Sequence, residues 1–191
     1  MAEEFLGDRK RALEEEFFRK QERSILERMR AAQATQNARE ALSQASGLTD
    51  AAVLDRLLGL GIQPDTLVAM GLVPLVLVAW ADGALDEKER RAVVSAVGTA
   101  GITIDSPAGQ LIQRWLASAP PASLLEAWRA YMADLCRQLP ATDRASLRDS
   151  MLNRARTVAE AAGGFLGLGT KISLAEEEML RTLEGICAGD S

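Results

Sequence analysis

The sequence predicts an all-α protein: a compact bundle of about seven helices in two pseudo-repeated hairpins, plus a long N-terminal helix. Three observations carry this. Apolar residues recur at helical spacing through most of the chain, no stretch alternates as a half-buried strand would, and the glycines and prolines fall at the ends of helical patterns. Two segments follow from the pattern, residues 1–46 as a charged arm or packing helix and residues 47–191 as the bundle.

Residues 8–30, DRKRALEEEFFRKQERSILERMR, contain no glycine or proline and are mostly charged. Leu6, Leu13, Phe17, Ile25 and Met29 make a thin apolar stripe, so one long helix runs from about residue 3 to 45, too polar to be buried all round. It either lies solvated across the bundle or docks on a partner. Arg11, Phe17, Phe18 and Arg23 are its candidate contact residues. Its basic residues alternate with glutamates, which speaks against a nucleic-acid stripe.

After Ser46-Gly47 come helices with legible ends. Asp50 or Thr49 caps AAVLDRLLG, and Gly59 and Gly61 stop it. The run QPDTLVAMGLVPLVLVAWADG is apolar all round and reads as the central core helix, kinked or split by Gly71 and Pro74. Its longest apolar run is shorter than the roughly 18–20 residues a membrane span needs. Ser106-Pro107 opens the next helix. Pro120-Pro121 precedes ASLLEAWRAYMADLCRQL, and a Thr142/Asp143 cap starts the segment that ends at Gly163-Gly164. Ser173 opens the last helix. Trp80, Trp115 and Trp128 stand among Leu and Val at helical spacing and read as core.

The composition narrows the chemistry. The chain has no histidine, which removes imidazole as general base, as nucleophile partner and as metal ligand. Cys136 and Cys187 are far apart in apolar helical patterns and read as thiols of a reducing compartment. The N-terminal MAEEFLGDRKRALEEE has no apolar core of a signal peptide, so a cytoplasmic location is expected. The net charge of −5 offers no general attraction to phosphate backbones.

What chemistry remains is acidic. In ADGALDEKE, Gly83 closes the core helix, Leu85 plugs inward, and Asp86 with Glu89 forms a D-x-x-E capping box. In GTKISLAEEEML the same order returns: Gly169, Ile172 as plug, and Ser173 with Glu176 as box. The spacing from Gly83 to Glu89 matches the second half of a calcium loop, but Val78 and Trp80 stand where its first oxygen ligands belong. A weak divalent site at Asp82, Asp86 and Glu89, completed by Glu176 or Glu177, is the metal alternative to plain capping. No other cofactor is expected. AAGGFLGLG lacks the Lys-Ser/Thr of a phosphate loop, and Phe165 and Leu166 read as an apolar loop that contacts a partner or a membrane surface.

The motif VAWADGALDEKERRAV, from Val78 to Val93, resembles the signature of TerB-like domains, of the tellurite-resistance and co-chaperone-associated superfamily. The similarity covers about Asp50 to Gly189 in architecture and Val78 to Val93 in motif. It implies a bundle of about seven helices in two related halves, with no catalytic activity. It also implies a link to bacterial stress responses, peripheral membrane association through a complex, and a divalent-cation site at Asp82, Asp86 and Glu89. The second hairpin departs from the pattern, with Gly163-Gly164 and Gly169 in place of Asp-Gly and Ser173 in place of Asp86, which halves its carboxylates. The expected function is a non-enzymatic, stress-associated protein–protein interaction module. The alternatives are a cation sensor at the acidic turns, or an inhibitor or regulator acting through the N-terminal helix.

Overall fold

The computed structural model describes residues 2–162 and 172–188, with side chains described over 16–161 and 172–186. Eight α-helices and one 3-10 helix account for nearly all of it: α1 (Ala2–Ser46), α2 (Ala51–Gly59), the 3-10 helix Leu67–Leu72, α3 (Val73–Ala79), α4 (Glu87–Thr99), α5 (Pro107–Ala117), α6 (Ser123–Gln138), α7 (Ala141–Ala162) and α8 (Leu174–Ala188). There is no strand among the described residues. The expected all-α class is what the chain adopts.

Two compact units divide the chain, Met1–Glu40 and Ala41–Ser191. The division falls six residues earlier than the expected break at 46, because the last turns of α1 already belong to the bundle. Leu42 is fully buried there, Ser46 Oγ donates to its carbonyl at 2.7 Å, and Ser43 Oγ donates to the Leu48 carbonyl at 2.5 Å. The first unit is a single helix.

In the second unit every residue of α3 is buried, and α4, α5, α6, α7 and α8 all pack against it. A helix with no polar face can exist only where neighbours cover it on all sides. The expected break in this region occurs at Val73. Residues 67–72 form the tighter 3-10 turn, and Pro74 lies in the first turn of α3, where its missing N–H has no intrahelical partner to lose. Two tryptophans tie the layers through their only polar atom. Trp128 Nε1 donates to the Met70 carbonyl at 3.2 Å and Trp80 Nε1 to the Trp115 carbonyl at 2.9 Å.

Most helix starts follow the sequence. Asp50 accepts from the N–H groups of Ala52 and Val53, and Ser106 accepts from that of Gly109. The start of α7 differs. Thr142 and Asp143 lie inside its first turn rather than before it, since the Pro140 carbonyl already receives the N–H groups of Asp143 and Arg144 at 3.1 and 3.0 Å. Asp143 there complements the positive end of the helix instead of capping it.

Gly109 shows where the loop before α5 presses closest: a Cβ at this position would collide with the backbone carbonyls of Thr103 and Ile104. Gly98, near the end of α4, has open space around it and an ordinary backbone conformation. Gly109→Ala should therefore cost about 1–3 kcal/mol through overpacking, while Gly98→Ala should gain up to about 0.5–1 kcal/mol in helix propensity. Thermal melts of the two variants should move in opposite directions, by roughly 2–4 °C per kcal/mol. Equal shifts would contradict the close approach at Gly109.

Candidate functional site

The two acidic turns are built as expected. At the start of α4, Asp86 Oδ1 accepts from the N–H groups of Lys88 and Glu89 at 2.6 and 2.8 Å. Glu89 Oε2 reaches back to accept from the Asp86 N–H at 2.8 Å. At the start of α8, Ser173 Oγ accepts from the Glu176 N–H at 3.2 Å, and Glu176 Oε2 accepts from the Ser173 N–H at 2.6 Å. Both caps are complete, reciprocal boxes. Gly83, at φ +89°, provides the left-handed residue that turns the chain between α3 and α4. Leu85 and Ile172, the expected plugs, both pack against the core. Gly163-Gly164, Gly169, Phe165 and Leu166 lie outside the described residues.

The glutamates of the two boxes are both 4% exposed. Burial, followed by the nearby charges of Asp86, Glu176 and Asp82, pushes the Glu89 carboxyl up from 4.5 to about 7, against the lowering effect of its bond to the Asp86 N–H. Glu176 Oε1 is buried with no hydrogen-bond partner. Each glutamate thus commits one oxygen to a helix cap, and the second oxygen of Glu176 is buried without a partner. Asp82 and Asp86 are exposed, and Asp82 Oδ1 accepts from the Ala84 N–H at 3.0 Å. Of the four residues singled out as metal ligands, Glu89 and Glu176 are buried, with Glu176 one of the charges that act on Glu89, and the two aspartates stay at the surface. Among the described residues, no group of three or more His, Cys, Asp or Glu side chains is spaced to hold a metal ion.

The second candidate surface lies on α1. Phe17, Phe18, Ile25, Leu26 and Met29 are each more than half exposed. At 3.6 residues per turn, Phe18, Ile25 and Met29 fall within roughly 40° of one another around the helix, with Phe17 and Leu26 on either flank. The Phe17 and Phe18 rings meet edge to face, with centroids 6.0 Å apart. Arg23 is exposed, and the Arg11 side chain lies outside the described residues. Cys136 is a half-buried free thiol rather than a fully buried one. The sequence reading missed a groove between α7 and α8. Its signal was present in the polar stripe Asp149, Asn153, Arg156 and Glu160, which is interrupted by the lone Leu152.

Comparison with family models, with curated proteins and with solved structures gives no match for this chain. No helix among the described residues is long and apolar enough to cross a membrane.

The buried glutamate gives a direct test. The folded chain holds the Glu89 proton more tightly than the unfolded chain does, so this group's contribution to stability is fully present below about pH 4.5. It is lost as the pH rises towards about 7. With no histidine in the chain, few other groups titrate in that range. Glu89→Gln keeps an oxygen for the Asp86 N–H and removes the charge. It should flatten the fall in Tm between pH 5 and pH 8 and be more stable than the wild type at pH 8, on the order of 2–3 kcal/mol. Parallel Tm–pH curves would show that Glu89 ionises without strain.

Proposed function

We propose that this chain is a non-enzymatic protein–protein interaction module whose docking element is the stretch of α1 from Phe17 to Arg30. The observation that carries the reading is the exposed apolar face of Phe18, Ile25 and Met29 on a helix that forms a unit by itself. An isolated helix gains little from propensity alone, and most helices are stabilised by covering an apolar stripe. Contiguous exposed apolar side chains rimmed by charge have the character of an interaction site. The chemistry of the bundle supports a role without catalysis. It has no histidine, and its Glu89 carboxyl, pushed up by burial, is shielded from solvent. The link to bacterial stress responses, and with it a complex at the membrane periphery, comes from the TerB-like motif, and the cytoplasmic location from the charged N-terminal sequence.

A photo-crosslinking residue placed at Ile25 should give discrete protein adducts in cells, whereas one at Glu27, about half a turn away around the helix, should give few. Adducts of equal strength from both positions, or none from either, would refute docking through this face.

A second reading has its own observation. Glu89 and Glu176 each leave one oxygen without a cap partner, and that of Glu176 is orphaned in the interior. A divalent cation held by these two carboxylates, with water completing its oxygen shell, would satisfy both. Ca²⁺, Mg²⁺ or Mn²⁺ at about 100 times its Kd would then stabilise the fold by about 2.7 kcal/mol at pH 8. The gain would shrink at pH 6 and vanish in Glu89→Gln/Glu176→Gln. A wild-type Tm that ignores all three ions would leave the turns as helix caps.

A further inference from the structure

The bundle carries a groove that matches the exposed face of α1. It runs between α7 and α8 with a volume of about 940 Å³. Its floor is apolar, made by Leu152, Ile172 and Leu180. The rim carries Asp149, Glu160, Glu177 and Glu184 against Arg156 and Arg181, an excess of two carboxylates. Arg181 is held by Glu177 at 2.9 Å and Asp149 is held by Arg148 at 3.0 Å. Glu160 and Glu184 have no ion pair among the described residues, so acceptors for a basic ligand remain on the rim.

We propose that this groove receives residues 17–30 of α1 from a second copy of the chain. The proposal rests on the reading of α1 as a docking helix and names its partner. Three features agree. Residues 17–30 carry five basic side chains, Arg19, Lys20, Arg23, Arg28 and Arg30, against Glu22 and Glu27, so the helix is basic where the groove is acidic. Its apolar stripe of Phe18, Ile25 and Met29 offers three large side chains to a floor of three. The lengths match as well. Phe18 to Met29 and Asp149 to Glu160 each span twelve residues, roughly 16 Å of helix between the end residues. An amphipathic helix laid in an apolar groove between two helices is a common mode of recognition. A reciprocal exchange about a two-fold axis is isologous and closes a dimer, whereas a one-way exchange is heterologous and builds chains.

The test is the solution mass of the full chain by light scattering across a concentration series, at low and high salt. The wild type should exceed the 20.6 kDa of one chain and dissociate as salt screens the rim. Phe18→Glu/Ile25→Glu, with its groove intact, should be monomeric. So should Glu160→Lys/Glu184→Lys, which changes only exposed groove residues and keeps α1 intact. Mixed in equal amounts, the two variants should recover one interface and form a 1:1 complex. Three results would overturn the proposal: a wild type that is monomeric throughout, a groove variant that assembles like the wild type, or a mixture that stays monomeric. If the groove variant assembles while the α1 variant does not, α1 docks elsewhere, on another α1 or another protein, and the docking-helix reading survives without this partner. If neither variant changes the assembly, both readings fail.

Discussion

Everything in the bundle depends on covering α3. Seven consecutive buried residues, with no polar side to turn outward, cannot be stable until other helices surround them. Fully burying a Val or Leu side chain is worth about 1.5–3 kcal/mol, and α3 offers that gain only to a chain that wraps it. Five helices do so. The indole N–H groups that enter this interior arrive paired, that of Trp128 with the Met70 carbonyl and that of Trp80 with the Trp115 carbonyl. The hydroxyl of the buried Thr66 likewise bonds the Gly61 and Gln63 carbonyls at 3.2 Å each.

Against that background the two glutamates stand out. A capping box normally sits at a helix start in water, where its carboxylate is cheap to keep ionised. Here both box glutamates are buried, and the charge of Glu176 is among those that push Glu89 up. The same geometry that satisfies two helix termini therefore concentrates negative potential inside a low-dielectric layer. The hydrogen bonds of the caps and the repulsion between the carboxyls act on the same side chains in opposite senses.

Much of the fold was legible because it is written in local chemistry. Asp50, Asp86, Ser106 and Ser173 announce helix starts by the residue type that can bond the next turn, and all four do so. Thr142 and Asp143 misled because Pro140 could serve from one step earlier, and residue type alone does not say which of two adjacent acceptors is used. Leu42 was assigned to the arm because no glycine or proline interrupts residues 8–46, and its burial depends on contacts distant in sequence. The metal candidates could be found from spacing, but spacing treats Asp82, Asp86, Glu89 and Glu176 alike. Only packing separates the sealed glutamates from the exposed aspartates. The groove between α7 and α8 needs two helices side by side before it exists at all.

The placement of the aromatic residues has an optical consequence. All three tryptophans and the single tyrosine lie between residues 80 and 131, and residues 1–40 contain neither type. Intrinsic fluorescence is therefore a private signal of the bundle, while the far-ultraviolet dichroism sums the bundle and the long helix. With Trp115 and Trp128 shielded from water, their emission reports core packing and is silent to melting of the first forty residues. The two spectra recorded on one sample divide the molecule without a label, a truncation or a substitution.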